Sequence, residues 1–219
     1  MLSDKGCLWS WFFHYVPVGD SPDVSLVPNA KQRQQILKAV YNARNTLPMM
    51  TVDFWGDGPE MMGCIAGGRQ YVHVNPNGDV EPCTFVHLAT HNVKNCTLTE
   101  ALAAPFMKAI RDGIPYEDGN MLRPCMIVDR PDVLRKYYQE FKPYETHENA
   151  AAYLTDPKIT SEIDKYSEEV KEILDEDWRN NLWMTIFPLE GEYYVDRDNF
   201  CSKEKPKHKC SGHCAGCGK

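Results

Sequence analysis

Two cysteines and a glycine at a fixed spacing mark the middle of the chain. Cys64 is followed by thirteen residues, Gly78, four residues and Cys83. Residues 75–78 (NPNG) form a strong turn signal, and the residues on either side of them predict two short strands. Such a hairpin carries its two end cysteines close together in space. Paired thiolates of this kind are suitable ligands for a soft metal or an iron–sulfur cluster.

Three further residues can contribute to this site. Gly67 and Gly68 follow Cys64, and because they lack side chains they let the backbone approach a bulky group beside that thiol. Cys125, in the sequence RPCMIVDRP, is expected to return from a loop and to supply a third ligand. The ordinary alternative is that these are buried free thiols, since cysteine is among the most commonly buried residues.

The fourth ligand position has several candidates. Cys96 is slightly favoured, and a cysteine from the end of the chain or an open iron position are the alternatives. Cys96 also lies just before the helix-capping pattern Thr97-x-x-Glu100. At a helix start it could equally be an ordinary buried or exposed thiol that binds no metal. His87 and His91 follow the hairpin and could complete a coordination sphere, although a surface or core histidine is the more usual role.

The end of the chain has a different composition. Residues 196–219 contain almost nothing from which to build a core, yet four thiols fall close together within them. Ordering such a segment costs conformational entropy unless something binds the thiols. A metal centre is therefore predicted, and tetrahedral zinc and a cubane cluster both fit four thiolates. Its predicted ligands are Cys201, Cys210, Cys214 and Cys217.

The central pattern resembles the SPASM/twitch auxiliary-cluster domain found at the C-terminal end of many radical S-adenosylmethionine (SAM) enzymes. The family motif is a cysteine, a variable gap, a glycine, four residues and a cysteine, which Cys64, Gly78 and Cys83 match in order and spacing. The sequences VNPNGDVEPC and NVKNCTLTEAL are similar to the family's hairpin and to the start of the helix that follows it. The resemblance is clearest over residues 50–130.

This resemblance implies a function and a set of partners. The chain would be the auxiliary iron–sulfur portion of a radical SAM oxidoreductase or group-transfer enzyme, in which one or two [4Fe–4S] clusters carry electrons or anchor substrate. An N-terminal half, in the same or a separate chain, would hold the SAM cluster, and SAM would bind only when that half is present. A ferredoxin or flavodoxin would be a suitable reductant. The competing interpretation is a non-enzymatic protein in which zinc only stabilises the fold.

One feature of the tail is similar to the radical SAM signature itself. Cys210, Cys214 and Cys217 have the spacing C-x3-C-x2-C. In that family the motif lies in a loop after the first barrel strand, whereas here no helix follows it and Cys201 is available as a fourth ligand. A separate metal centre is therefore the favoured role for these cysteines, and SAM binding is the alternative.

The region before the cysteines predicts a β-α-β unit. Residues 9–18 form an apolar run typical of a buried strand, Asn29 can cap a helix, and Pro48 ends that helix before a second strand at 49–54. Two strands joined in this way should be parallel. By the resemblance they are the last strands of a barrel, which two strands cannot close. Because the first run is apolar on both faces, an N-terminal half is expected to cover it.

The predicted fold class is therefore mixed α/β (α+β). The expected order is the end of a partial parallel radical-SAM-type barrel at 1–60, a SPASM/twitch-like hairpin and helices at 61–142, a helical segment at 143–195, and the cysteine-rich tail at 196–219. Helices are predicted at 98–112, with a kink or restart at Pro105, from Pro131 to Phe141, and at 161–183 with a solvated acidic face.

Composition sets limits on location and on partners. The chain has 219 residues, no apolar run long enough for a membrane span, and no secretory signal. Nine cysteines without such a signal indicate metal ligation in a reducing compartment, so a cytoplasmic location is expected. The net charge of −7 and the lack of a dense basic face argue against nucleic-acid binding.

Overall fold

The computed structural model describes residues 2–180, which form a mixed α+β fold of seven helices and three small sheets. The tail cysteines Cys201, Cys210, Cys214 and Cys217 lie outside the described residues, as does the end of the helix predicted at 161–183. The helices are α1 (Ala30–Thr46), α2 (Gly58–Met61), α3 (Leu98–Ala103), α4 (Pro105–Asp112), α5 (Pro131–Phe141), α6 (Ala152–Thr155) and α7 (Pro157–Arg179). The strands are β1 (Trp9–Phe12), β2 (Met50–Asp53), β3 (His73–Val74), β4 (Val80–Glu81), β5 (Leu88–Ala89) and β6 (Tyr144–Glu145).

The predicted β-α-β unit is confirmed. Strands β1 and β2 pair in parallel, with Trp9 opposite Met50 and Phe12 opposite Asp53. Helix α1 between them begins with a capping box, in which the Asn29 side chain accepts from the Gln32 backbone N–H and the Gln32 side chain accepts from that of Asn29. The sheet has two strands, so the described residues form no closed barrel.

Strand β1 is shorter than the apolar run that predicted it. The parallel ladder ends near Phe12, whose carbonyl accepts from the Phe54 N–H at 3.1 Å. Two residues later His14 turns inward, where its Nε2 lies 2.7 Å from a buried Asp53 carboxylate oxygen and its ring stacks on Trp55. A buried histidine needs such a polar partner, and the inward turn that reaches Asp53 ends the strand.

The expected burial of this run is not seen within the described residues. Trp9 is 58% exposed, Trp11 51% and Phe13 54%. Their rings form a ladder along the sheet, with centroid distances of 6.0 Å from Trp9 to Trp11 and 4.9 Å from Trp11 to Phe13. The aromatic face is defined as the exposed aromatic side chains that share one side of β1 and its continuation: Trp9, Trp11 and Phe13.

The hairpin and the later helices largely follow the sequence-based predictions. Strands β3 and β4 pair antiparallel around the 75–78 turn, in which Gly78 has φ +92°. The helix predicted at 98–112 is broken at Ala104, and Pro105 starts the second piece as its first residue. Helix α5 has the predicted bounds. Helix α7 starts at Pro157, four residues earlier than predicted, because Asp156 caps it.

A main core joins most of these elements, and a second, smaller cluster contains Val80, Ala101 and Met107. The buried apolar side chains of the main core extend from Val16, before α1, to Leu174 in α7, and α1 packs along α7. The loops that carry Cys64, Cys83 and Cys125 contact this same core. None of the helices within residues 2–180 is both long enough and apolar enough to cross a membrane.

Candidate metal centre

The structure brings three predicted ligands to one cavity. Cys64, Cys83 and Cys125 all line a cavity of about 140 Å³. It lies between the aromatic face of the β1–β2 sheet and the hairpin, and its wall is predominantly apolar. Other side chains in that wall are Trp11, Phe54, Tyr71, Phe85 and Met126. Three thiols that are far apart in sequence therefore converge on one predominantly apolar cavity.

Cys64 is held by a glycine-rich loop after α2. Gly67 and Gly68 have φ of +71° and +76°, a region that other residues rarely adopt. A side chain at Gly67 would approach the Ile110 Cγ2 atom to 2.7 Å, so the loop packs directly on α4. These glycines allow the left-handed backbone and the close packing on Ile110 and Leu102. Their role in giving clearance to a bulky group beside the thiol stays a prediction.

Cys83 lies in the turn that ends the hairpin. The Val86 N–H donates to the Cys83 carbonyl at 3.0 Å, and the Phe85 N–H donates to the Cys83 sulfur at 3.5 Å. This turn folds the backbone back over the sulfur. The thiol is therefore fixed at the cavity wall by its own loop.

Cys125 is held by Asp129, just before α5. An Asp129 carboxylate oxygen accepts from the Cys125 N–H at 2.9 Å, and the Asp129 N–H donates to the Cys125 carbonyl at 2.9 Å. The same carboxylate forms a buried ion pair with Arg33 of α1. Asp129 therefore ties the Cys125 loop to the core of the fold.

Burial makes these three thiols poor anions in the protein alone. It raises the pKa of Cys64 to about 12 and raises the pKa values of Cys83 and Cys125 as well. Thiolates in this cavity therefore require a compensating positive charge. A metal or cluster supplies such a charge, because a coordinating thiol is deprotonated outright.

Backbone N–H groups face all three sulfurs. They oppose the effect of burial by lowering the thiol pKa values, which is the action of a hydrogen bond to a thiolate. Such N–H···S contacts are also among the features that adjust an iron–sulfur cluster's reduction potential. The Phe85 N–H donates to the Cys83 sulfur at 3.5 Å, and nearby N–H groups of Ala66, Val86, Ile127 and Val128 also lower the pKa values of the thiols that they face.

A buried hydroxyl close to the cavity has no acceptor. Tyr153, in α6, is 1% exposed, and its hydroxyl finds no hydrogen-bond partner in the described residues. Burial is the main cause that raises its pKa well above the usual value, and the neighbouring Cys83 and Cys125 add to this effect. A buried hydroxyl without a partner is costly, so a further acceptor beside these cysteines would satisfy it. The residues around the cavity thus fit a bound sulfur-rich group.

Three other predicted ligands, Cys96, His87 and His91, do not line this cavity. Cys96 packs in a separate cluster with Val80 and Met107, and its sulfur donates to the Asn92 carbonyl at 3.4 Å. His87 packs on His147, with ring centroids 4.5 Å apart.

Within residues 2–180, no group of three or more cysteine, histidine or acidic side chains meets at the spacing required for a single metal ion. Cys64, Cys83 and Cys125 nevertheless surround one cavity.

A cluster of charged side chains lies next to the carboxyl end of β2. Arg44 pairs with Asp57 and lies near Glu60, while the Tyr41 hydroxyl donates to Glu60 Oε1 at 2.8 Å. Burial is the main cause that raises the pKa of Glu60 to about 7, and nearby Asp57 adds to it. In the folded protein Glu60 therefore holds its proton up to a much higher pH than in the unfolded chain.

This shift predicts a pH-dependent stability. Because the folded-state pKa is raised, the free energy of unfolding falls as pH rises from about 4.5 to 7 and is then flat. Glu60→Gln, which keeps an acceptor for Tyr41, is expected to raise the free energy of unfolding by about 1–2 kcal/mol at pH 8 and to leave it unchanged at pH 4. Urea unfolding at both pH values checks this. The exposed Glu162→Gln is the control, and equal effects of Glu60→Gln at pH 4 and pH 8 would contradict the expectation.

Sequence reasoning missed three residues that shape the site: Arg33, Tyr71 and Asp129. Arg33 is a charged residue in the sequence of α1, yet it is buried beside Asp129. Tyr71 lies just before β3 and lines the cavity. Helical periodicity and strand pattern carry no signal for such partners, because the partners come from distant parts of the chain.

Comparison with known protein families agrees with this geometry. Residues 64–127 match the SPASM family, an iron-sulfur cluster-binding domain. The matched segment starts at Cys64 and includes Cys83 and Cys125. No curated protein and no solved structure gives a match to the chain.

Proposed function

Since the chain contains a SPASM iron–sulfur cluster-binding domain at residues 64–127, we propose that Cys64, Cys83 and Cys125 hold an auxiliary [4Fe–4S] cluster of a radical SAM enzyme. The observation that carries this proposal is the convergence of the three thiols on one apolar cavity. Auxiliary domains of this kind are typical of radical SAM enzymes, in which a cluster supplies one-electron transfer or an iron that anchors substrate.

The protein's own residues would set the conditions for that cluster. The predominantly apolar wall, which includes Trp11, Phe54 and Met126, limits the polar groups around the cavity. Low solvent access and N–H donors to the sulfurs are features by which a protein adjusts cluster potential. Three thiolates leave a fourth position. Because Cys96 packs in a separate cluster, we favour a tail cysteine or an open iron at that position.

The aromatic face supports the proposal of a further radical SAM half as partner. Burial of each large apolar side chain is worth about 1.5–3 kcal/mol, and several on this face are exposed together. Within residues 2–180, each strand of this sheet pairs with only one other strand, which leaves one edge of each strand without a partner strand there. A SAM-binding barrel half, in the same or a separate chain, would extend the sheet and cover these rings. An external reductant such as ferredoxin or flavodoxin would then supply electrons.

Anaerobic purification tests the proposed cluster. The protein, reconstituted with iron and sulfide, should be brown, with broad visible absorption and close to four irons and four sulfides per cluster. Its reduced form should give an electron paramagnetic resonance (EPR) signal. A colourless protein that contains zinc and takes up no iron would instead support the structural zinc protein.

A further inference from the structure

We propose that the Tyr71 hydroxyl donates a hydrogen bond to the Cys83 sulfur and thereby raises the reduction potential of the cluster. This inference rests on the proposed function and concerns how one side chain adjusts it. Tyr71 and Cys83 line the same cavity. No metal-ligand pattern in the sequence includes Tyr71, so the role follows from its position in the fold.

The backbone around Tyr71 fixes the position of its ring. The Tyr71 N–H donates to the Ile65 carbonyl at 3.2 Å, and the Gly68 N–H donates to the Tyr71 carbonyl at 3.0 Å. Residues 65–71 therefore form a closed loop that begins directly after Cys64. The ring reaches from this loop across to the turn that carries Cys83, so Tyr71 links two of the three ligand loops.

A second hydrogen bond orients the hydroxyl. The Thr84 N–H donates to the Tyr71 hydroxyl oxygen at 2.9 Å. Thr84 directly follows Cys83, and the Phe85 N–H in the same turn donates to the Cys83 sulfur at 3.5 Å. Because one lone pair of the Tyr71 oxygen is occupied, its proton is free to point toward the adjacent sulfur. The Tyr71 hydroxyl therefore lies beside the turn that carries the Cys83 sulfur, and both residues line the same cavity.

The hydroxyl is available as a donor at neutral pH, because an ordinary tyrosine keeps its proton up to a pH of about 10. A charge-assisted hydrogen bond to a thiolate strengthens as negative charge on the cluster increases. The reduced cluster carries one more negative charge than the oxidised one, so this donor favours reduction.

Removal of the hydroxyl should therefore disfavour the reduced cluster. In the full-length reconstituted protein, Tyr71→Phe is expected to lower the ratio of reduced to oxidised cluster at a fixed potential by about tenfold, which for one electron is about 59 mV. The ratio is measured by an EPR-monitored redox titration. Electron–nuclear double resonance of the reduced cluster after exchange into deuterated buffer should lose one exchangeable deuteron signal in Tyr71→Phe.

Tyr144→Phe is the matched control. It removes a tyrosine hydrogen bond of 2.7 Å to Asp79 in the same region, but Tyr144 does not line the cavity. Its reduced-to-oxidised ratio should stay within twofold of the wild-type value. Tyr71→3,5-difluorotyrosine, a stronger donor of nearly the same shape, should shift the ratio in the opposite direction from Tyr71→Phe. This variant decides the question if Tyr71→Phe does not fold.

The outcomes separate this inference from the proposed function. A wild-type protein that forms no cluster overturns the proposed function and the inference with it. A wild-type cluster whose potential is unchanged in Tyr71→Phe, with the same iron content and deuteron signals, overturns only the role of Tyr71. Opposite shifts in the two Tyr71 variants, with Tyr144→Phe unchanged, support it.

Discussion

Replacement of Cys125 with serine is expected to remove most of the iron that the central site holds, and Cys64→Ser and Cys83→Ser should do the same. A serine hydroxyl stays protonated at neutral pH and is a much harder, weaker ligand for iron than a thiolate. Loss of an outer-shell partner alone typically costs 10–100-fold in metal affinity. Loss of one of three thiolates should cost more. Iron and sulfide assays on each purified variant, with visible absorption, measure the effect.

Two other cysteines serve as controls for this series. Cys7 lies near the start of the chain and does not line the cavity, so Cys7→Ser should keep the wild-type iron content. Cys96→Ser tests the fourth position directly. An iron loss in Cys96→Ser equal to that in Cys64→Ser would identify Cys96 as a ligand despite its separate packing. Full iron in Cys125→Ser, with loss in Cys64→Ser, would show that Cys125 is not a ligand.

Asp129→Asn is expected to destabilise the fold by about 3–5 kcal/mol, because it leaves the Arg33 guanidinium buried without its counter-charge. Both side chains are almost fully buried, and a second nitrogen of Arg33 donates to the Leu122 carbonyl at 3.2 Å. The same substitution weakens the acceptor for the Cys125 N–H, so iron affinity should also fall. Urea unfolding at pH 7, followed by circular dichroism, measures the stability.

The double variant Arg33→Met/Asp129→Leu tests whether the stability lost in Asp129→Asn comes from the unpaired charge of Arg33 or from poorer packing. An apolar replacement of a buried ion pair is often neutral or stabilising, so the double variant should recover most of the stability lost in Asp129→Asn. Asp112→Asn, which breaks the exposed Lys108–Asp112 pair, should change stability by no more than about 1 kcal/mol. A loss below about 1 kcal/mol in Asp129→Asn would refute the structural role given to the Arg33–Asp129 pair.

The sequence predicted those features that local patterns determine. The Asn29 cap, the 75–78 turn and Pro131 each act on their immediate neighbours, and the structure confirms the elements that they delimit. The proximity of Cys64 and Cys83 was also predictable from the sequence, because a hairpin brings its two ends together. Local propensity therefore accounts for most element boundaries and for two of the three thiols at the cavity.

Features that depend on distant contacts were not predictable in the same way. Strands β5 and β6 have two residues each and no alternating pattern, and they exist because the chain returns after α5 to pair with Leu88 and Ala89. The inward turn of His14 depends on Asp53, 39 positions away. The packing of Gly67 on Ile110 also needs the fold to be known. Tertiary contacts decide these features, and sequence periodicity does not record them.

The wide separation of the three thiols has a consequence for the order of assembly. Cys64 and Cys83 are 19 positions apart, whereas Cys83 and Cys125 are 42 positions apart. Closing the longer loop costs about 0.6 kcal/mol more in chain entropy, and it also requires the Cys125 loop to reach Arg33 in α1. The hairpin can therefore bring Cys64 and Cys83 together first, and Cys125 joins them last. A cofactor held by the hairpin alone would exchange freely with solution, and it becomes trapped only when the third loop closes over it.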